Sequence, residues 1–141
     1  MSNYQAEKKI ILEYYKALDG AQGADITKVL ESHISENYIW RGYHPFNELK
    51  DAKEVSEIFW QPFRNSFKSI QRRMDIFMAG KNEIDGFDSV WVVSMGHLMG
   101  LFDNEWLGIA PSRKMALLRY CEYNKVENGK ITETAMFFDI P

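Results

Sequence analysis

The second half of this chain is written almost entirely as strands. Ser69–Gly80, Ser89–Phe102, Arg113–Glu127 and Lys130–Ile140 all read as extended runs. They are divided by Lys81–Asp88, Asp103–Ser112 and Asn128-Gly129. Asn-Gly is the strongest short hairpin signal, because both residues of its turn take positive φ. Runs of this length exceed the usual strand of about five or six residues. A long strand twists, and helices can lie along it only if it curves. Gly96 and Gly100 share one face of the second run by period-two alternation. A missing Cβ there permits a bend, a bulge or the close approach of a helix.

The first half carries a different period. From Ser2 to Leu18, residues Ile10, Ile11, Tyr14, Tyr15 and Leu18 recur at three- and four-residue spacing and predict one apolar helix face. Gly20 and Gly23 stop that helix. A second helix is expected from Asp25 as N-cap, burying Ile26, Val29 and Leu30. Asn37–Arg41 reads as a short strand and Gly42–Asn47 as a loop. Asp51 with Glu54 makes a capping-box-like start for a third helix, with Val55, Ile58 and Phe59 on one side and Pro62 ending or kinking it. Three helices followed by four strands predict an α+β fold, with N-terminal helices packed on a strongly curved antiparallel sheet. Such an arrangement leaves a cone-shaped interior, and hence an apolar pocket.

Length and charge narrow the function classes. At 141 residues the expectation is one domain, 1–141, large enough to hold a core without staples. Net charge is −3, and the one basic cluster, Lys68 to Arg73, is flanked by Phe67, Ile70 and Met74. That argues against a nucleic-acid partner, which calls for a basic face. The longest apolar run is far below the roughly 18 residues of a membrane span. Cys121 is the only cysteine, so the chain forms no internal disulfide and suits a reducing cytoplasm. His33, His44 and His97 are scattered and give no metal-ligand spacing. No glycine-rich phosphate loop and no nucleophile elbow occurs, so no cofactor is expected.

Several segments together resemble a known family. They are Trp40-Arg41-Gly42 with His44-Pro45-Phe46-Asn47-Glu48-Leu49, Arg72-Arg73-Met74-Asp75-Ile76-Phe77, Gly96-His97-Leu98-Met99-Gly100, Trp106-Leu107-Gly108-Ile109, Leu118-Arg119-Tyr120, Asn128-Gly129-Lys130-Ile131 and Asp139-Ile140-Pro141. With the element order, they resemble the SnoaL-like polyketide cyclases, the "ester cyclase" relatives within the nuclear-transport-factor-two-like fold. The resemblance implies the cystatin-like cone, or α+β barrel, a small apolar ligand and a homodimer formed through the sheet. Two departures stand out. The cyclases' acid/base aspartate on the last strand falls on Met136, and their accompanying histidine falls on Glu122. The chain also stops at the end of a strand, where relatives continue with a short segment. The expectation is a domain trimmed there, or one lacking a piece that closes the pocket mouth.

Four residues are candidates for acid/base chemistry. Asp139 follows the apolar stretch Ala135-Met136-Phe137-Phe138, where a carboxyl would have a raised pKa; its plain alternative is a solvated turn cap. His97 shares a face with Trp91, Val93, Met95, Met99 and Leu101, and would be a pocket base or an ordinary core or surface histidine. Glu122 shares its face with Leu118 and Tyr120, while Arg119 lies on the other; the two faces compete, and the reading adopted puts Tyr120 and Glu122 inward. A tyrosine hydroxyl beside a protonated carboxyl can stabilise an enolate. Trp40, His44, Phe46, Trp60, Met99, Trp106 and Met136 are expected to line the pocket, with core packing as the alternative for each. Asp75 reads as an ion-pair partner for Arg72 or Arg73. The function expected is cofactor-free proton abstraction next to the carbonyl of an apolar ester or polyketide-like substrate. The alternative is a non-catalytic ligand-binding or dimerisation module.

Overall fold

The computed structural model describes residues 4–139. Ser2 and Asn3, which open the first expected helix, lie outside the described residues, as does Ile140, the last residue of the last expected strand. The elements are α1 (Gln5–Gly20), α2 (Asp25–His33), β1 (Ile34–Tyr43), β2 (Asn47–Leu49), α3 (Ala52–Glu54), a π-helical turn (Val55–Trp60), α4 (Gln61–Ser66), β3 (Phe67–Lys81), β4 (Val90–Phe102), β5 (Met115–Glu127) and β6 (Lys130–Phe138). The fold is α+β, with a curled six-stranded sheet in the order β2-β1-β6-β5-β4-β3.

Local chemistry explains most of the boundaries. Helix α1 buries Ile11, Tyr14, Tyr15 and Leu18, the face its period marks, and ends at Gly20. Asp25 is the first residue of α2 rather than its cap: Ala24 holds the cap position without a side-chain bond, and Asp25 pairs instead with Lys28 at 3.7 Å. Asp51 does cap α3, accepting from the Glu54 amide at 2.8 Å. Pro62 has no N–H to give the preceding turn, and the helix passes through the π-helical stretch just before it instead of breaking.

The sheet differs from the expected one in two ways. It is mixed rather than purely antiparallel, because β1 runs parallel to β6, with Trp40 opposite Thr134. The expected loop Gly42–Asn47 is the tip of a β1–β2 hairpin, with Arg41 opposite Glu48. Asn128 and Gly129 both have positive φ and close the β5–β6 hairpin.

Strand β3 slips register against β4 twice, between Lys68 and Gln71 and between Met74 and Ile76. The glycines of β4 face these slips. A Cβ on Gly96 would land on the Arg73 carbonyl oxygen, and one on Gly100 would come within 2.7 Å of Ile70 Cδ1. The sheet bends where β4 has no side chain to obstruct it. No described helix is long and apolar enough to cross a membrane.

Candidate active site

On β4 the even-numbered residues from Val92 to Phe102 are buried, and on β5 the even-numbered residues from Leu118 to Val126. Pairing arranges these inner residues in rows. Ser94, Glu122 and Met136 form one row. Gly96, Tyr120 and Phe138 form the next, and Val92, Asn124, Thr134 and Trp40 lie on the other side. Glu122 is therefore at the centre of the inner face, fully buried.

A continuous polar network surrounds it. Arg72 Nη1 donates to Glu122 Oε1 at 3.2 Å, while Arg72 Nε and Nη2 grip the Asp19 carboxylate at 3.0 and 3.3 Å. The guanidinium carbon lies 3.8 Å from the Tyr15 ring centroid and 5.1 Å from that of Tyr120, so the cation sits over two aromatic rings. Asn124 Nδ2 reaches Glu122 Oε2 at 3.4 Å and the Tyr15 hydroxyl at 3.3 Å. Tyr15 bonds Ser94 Oγ at 2.7 Å, and Tyr38 donates to Thr134 Oγ1, which reaches Asn124 Oδ1 at 2.6 Å. Asp19, with a side chain 25% exposed, is the network's link to solvent.

Electrostatics set Glu122 apart. Burial pushes its carboxyl above the ordinary glutamate value; the attraction of Arg72 and hydrogen bonds from Tyr15, Asn124 and Arg72 oppose the shift without cancelling it. Burial also raises the Tyr14, Tyr15 and Tyr38 phenols, which stay protonated. The hydroxyl of Tyr120 and the indole N–H groups of Trp40 and Trp60 are buried with no hydrogen-bond partner among the described residues. Such orphaned donors are costly, and they favour an acceptor arriving from outside the chain.

The rest of the interior is aromatic. Phe59 packs on Trp40, Phe46, Trp60, Phe63 and Phe138 with centroids 4.6–5.6 Å apart. Trp106, from the β4–β5 connection, caps the cluster against Phe63 and Phe67 at 5.3 and 5.4 Å. The apolar stretch Trp106-Leu107-Gly108-Ile109 is thus covered by its own domain through Trp106, while Leu107 remains exposed.

The expected site residues divide by face. Glu122, Tyr120, Trp40, Trp60, Trp106 and Met136 are buried inside, and Phe46 is half-buried over them. His97 and Met99 lie on the outer face instead, because β4 turns its odd-numbered side outward; His97 Nδ1 is 3.4 Å from Asp75 Oδ2, with the imidazole 28% exposed. Asp139 is 71% exposed and loosely paired with Arg119, 3.9 Å away; its amide still bonds the Arg119 carbonyl at 3.1 Å, and alternation turns its side chain to the outer face, away from the expected apolar setting. His44 is exposed at the β1–β2 turn. Asp75 pairs with Arg73 and His97, not with Arg72. Arg72 and Tyr15 were missed. The Ile70-x-Arg72 alternation was the available signal, since it places Arg72 on the inward side. Among the described residues, no group of three or more His, Cys, Asp or Glu side chains is placed to hold a metal ion.

The same architecture recurs in solved structures. A SnoaL-like polyketide cyclase-type protein from Jannaschia sp. superposes with a TM-score of 0.75 at 14% identity, over 99% of this chain and 89% of that one. A protein of the same description from Shewanella denitrificans gives 0.71 at 14% identity, over 96% and 91%. A nuclear-transport-factor-two-like protein from Burkholderia thailandensis gives 0.64 at 16% identity, over 94% and 89%. No protein-family model and no curated protein matches the sequence. The chain therefore has the nuclear-transport-factor-two-like fold in the form the SnoaL-like cyclases share. At these identities the likeness defines the fold and leaves the chemistry to the site.

Proposed function

We propose that this chain is a cofactor-free acid/base enzyme of the SnoaL-like kind, acting on an apolar substrate that carries a ketone or ester carbonyl. The observation that carries this reading is Glu122: a fully buried carboxyl with a raised pKa, held by Arg72 beside the unpartnered Tyr120 hydroxyl. A carboxylate of raised pKa is a competent base near neutral pH. Glu122 takes the proton next to the substrate carbonyl. Tyr120 and the Arg72 guanidinium stabilise the enolate oxygen that develops. Asp139 and His97, on or near the outer surface, take no part.

The test is proton exchange at carbon next to a carbonyl, followed by NMR in heavy water across a panel of aromatic ketones and β-keto esters. Glu122→Gln should slow exchange about 10²–10⁴-fold, the scale of a lost general base. Tyr120→Phe should lower the rate while leaving the fold intact. Undiminished exchange in Glu122→Gln overturns the assignment.

A second reading is a non-catalytic binder of apolar ligands. Met136, fully buried in the row of Glu122, favours it, since a thioether cannot transfer a proton. Tight binding of those ketones without exchange would support this reading. On either reading a homodimer is proposed through the outer sheet face. Met78, Met95, Tyr123 and Phe137 are exposed there beside a groove of about 530 Å³. The lone cysteine and the acidic balance fit a cytoplasmic setting.

A further inference from the structure

A cleft of about 600 Å³ opens between the α1–α2 turn, α4 and the start of β3. That is the size of a small-molecule site. Its wall carries two cations, Arg64 and Lys68. The Arg64 guanidinium donates to the carbonyls of Leu18, Asp19 and Ala21 at 3.1, 3.0 and 3.1 Å, which fixes it in place. The Asp19 carboxylate and the partial negative charge of the α1 C-terminus offset part of the Arg64 charge. Lys68, half-buried on the adjoining strand, has no ion-pair partner among the described residues. Glu57 is the one carboxylate on the lining, and it is exposed. The side chains of Gln22 and Asn65 face the cleft with no hydrogen bonds of their own, beside apolar Ala21 and Pro62.

We propose that this cleft binds a small organic carboxylate, its anionic end on Lys68 and Arg64, its apolar body on Ala21 and Pro62. A lysine without an ion-pair partner gains a charge-assisted hydrogen bond from such a ligand. The cleft is separate from the buried rows around Glu122, and the claim does not depend on the acid/base reading. The two places nevertheless share a helix end. Arg64 anchors the last turn of α1, and Asp19 in that turn clamps Arg72 against Glu122.

Benzoate and its neutral isostere benzamide test this by amide chemical-shift titration of the full chain at constant ionic strength. Saturable benzoate shifts are expected at Gln22, Gly23, Asn65 and Ser69. Benzamide should bind at least about tenfold more weakly, the scale of one lost charge-assisted hydrogen bond. Lys68→Met should weaken benzoate to a similar degree, and Lys125→Met, on the outer face, should not. Equal binding of the two probes, shifts that do not saturate, or unchanged benzoate binding in Lys68→Met would each overturn the proposal.

Discussion

Arg72 and Glu122 are mutually dependent because neither has water to fall back on. The Arg72 side chain is 4% exposed and the Glu122 side chain fully buried. Removing one partner leaves an uncompensated buried charge, which typically costs about 3–5 kcal/mol. Arg72→Leu should therefore destabilise the protein on that scale in urea denaturation at neutral pH. The double variant Arg72→Leu/Glu122→Leu should recover most of the loss, because two apolar groups need no partners. The pH dependence has a defined sign. A carboxyl whose folded pKa lies above the unfolded value near 4.5 favours the folded state when protonated. Its contribution is fully present below that value and is lost as pH rises through the folded pKa. Relative to Glu122→Gln, the native protein should thus lose stability as pH is raised from about 4.5, read as the difference between paired denaturation curves. At this scale the sequence was only half legible. Alternation put Tyr120 and Glu122 on one face and Arg119 on the other, and the reading adopted turned the first face inward. The faces of β4 could not be told apart by apolarity: the outward set Trp91, Val93, Met95, Met99 and Leu101 is greasier than the inward set, which includes Ser94, Gly96 and Gly100. The small inward residues are there because β3 and the polar network crowd that side. Arg72 was obscured because Asp75 offered it a local ion-pair partner, whereas its actual partners, Asp19 and Glu122, lie far away in the sequence.

The elements themselves were easier to read, because their signals are local. The α1 stripe, the Asp51 cap, the Asn128-Gly129 turn and the bend-permitting glycines of β4 each act within a few residues. What the sequence left hidden was non-local. The full length of β1 depends on β6, almost a hundred positions later, and the short β2 exists only because β1 offers it an edge. The glycine at position 96 gives the sharpest prediction at this scale. Gly96→Ala forces its methyl against the Arg73 carbonyl, and the backbone must shift. Overpacking of this kind typically costs about 1–3 kcal/mol. Gly80→Ala, with open space around its Cβ, is the control and should be close to neutral in thermal melts. Trp106→Ala should cost about 3–5 kcal/mol, as truncation of a buried aromatic usually does.

For the whole molecule, the outer sheet face is the exposed apolar surface. Met78 is 57% exposed and Phe137 44% on a face that also carries the stacked Tyr43–Phe137 pair. If two copies bury this face, Met78→Glu should convert a dimer to a monomer in sedimentation velocity without lowering the monomer's stability. A native protein that sediments as a monomer at micromolar concentration would remove the homodimer from the proposal. One further consequence follows from the parallel pairing of β1 with β6. The strand leaving α2 has no lasting neighbour on that side until residues 130–138 have emerged from the ribosome. During synthesis the helices and β1 must wait, with Tyr38 and Trp40 uncovered, for nearly all of the remaining chain. Loop closure over such a separation is slow, and an exposed strand edge is prone to pairing with the wrong chain. Premature termination before β6 should therefore yield an aggregating product rather than a smaller folded one.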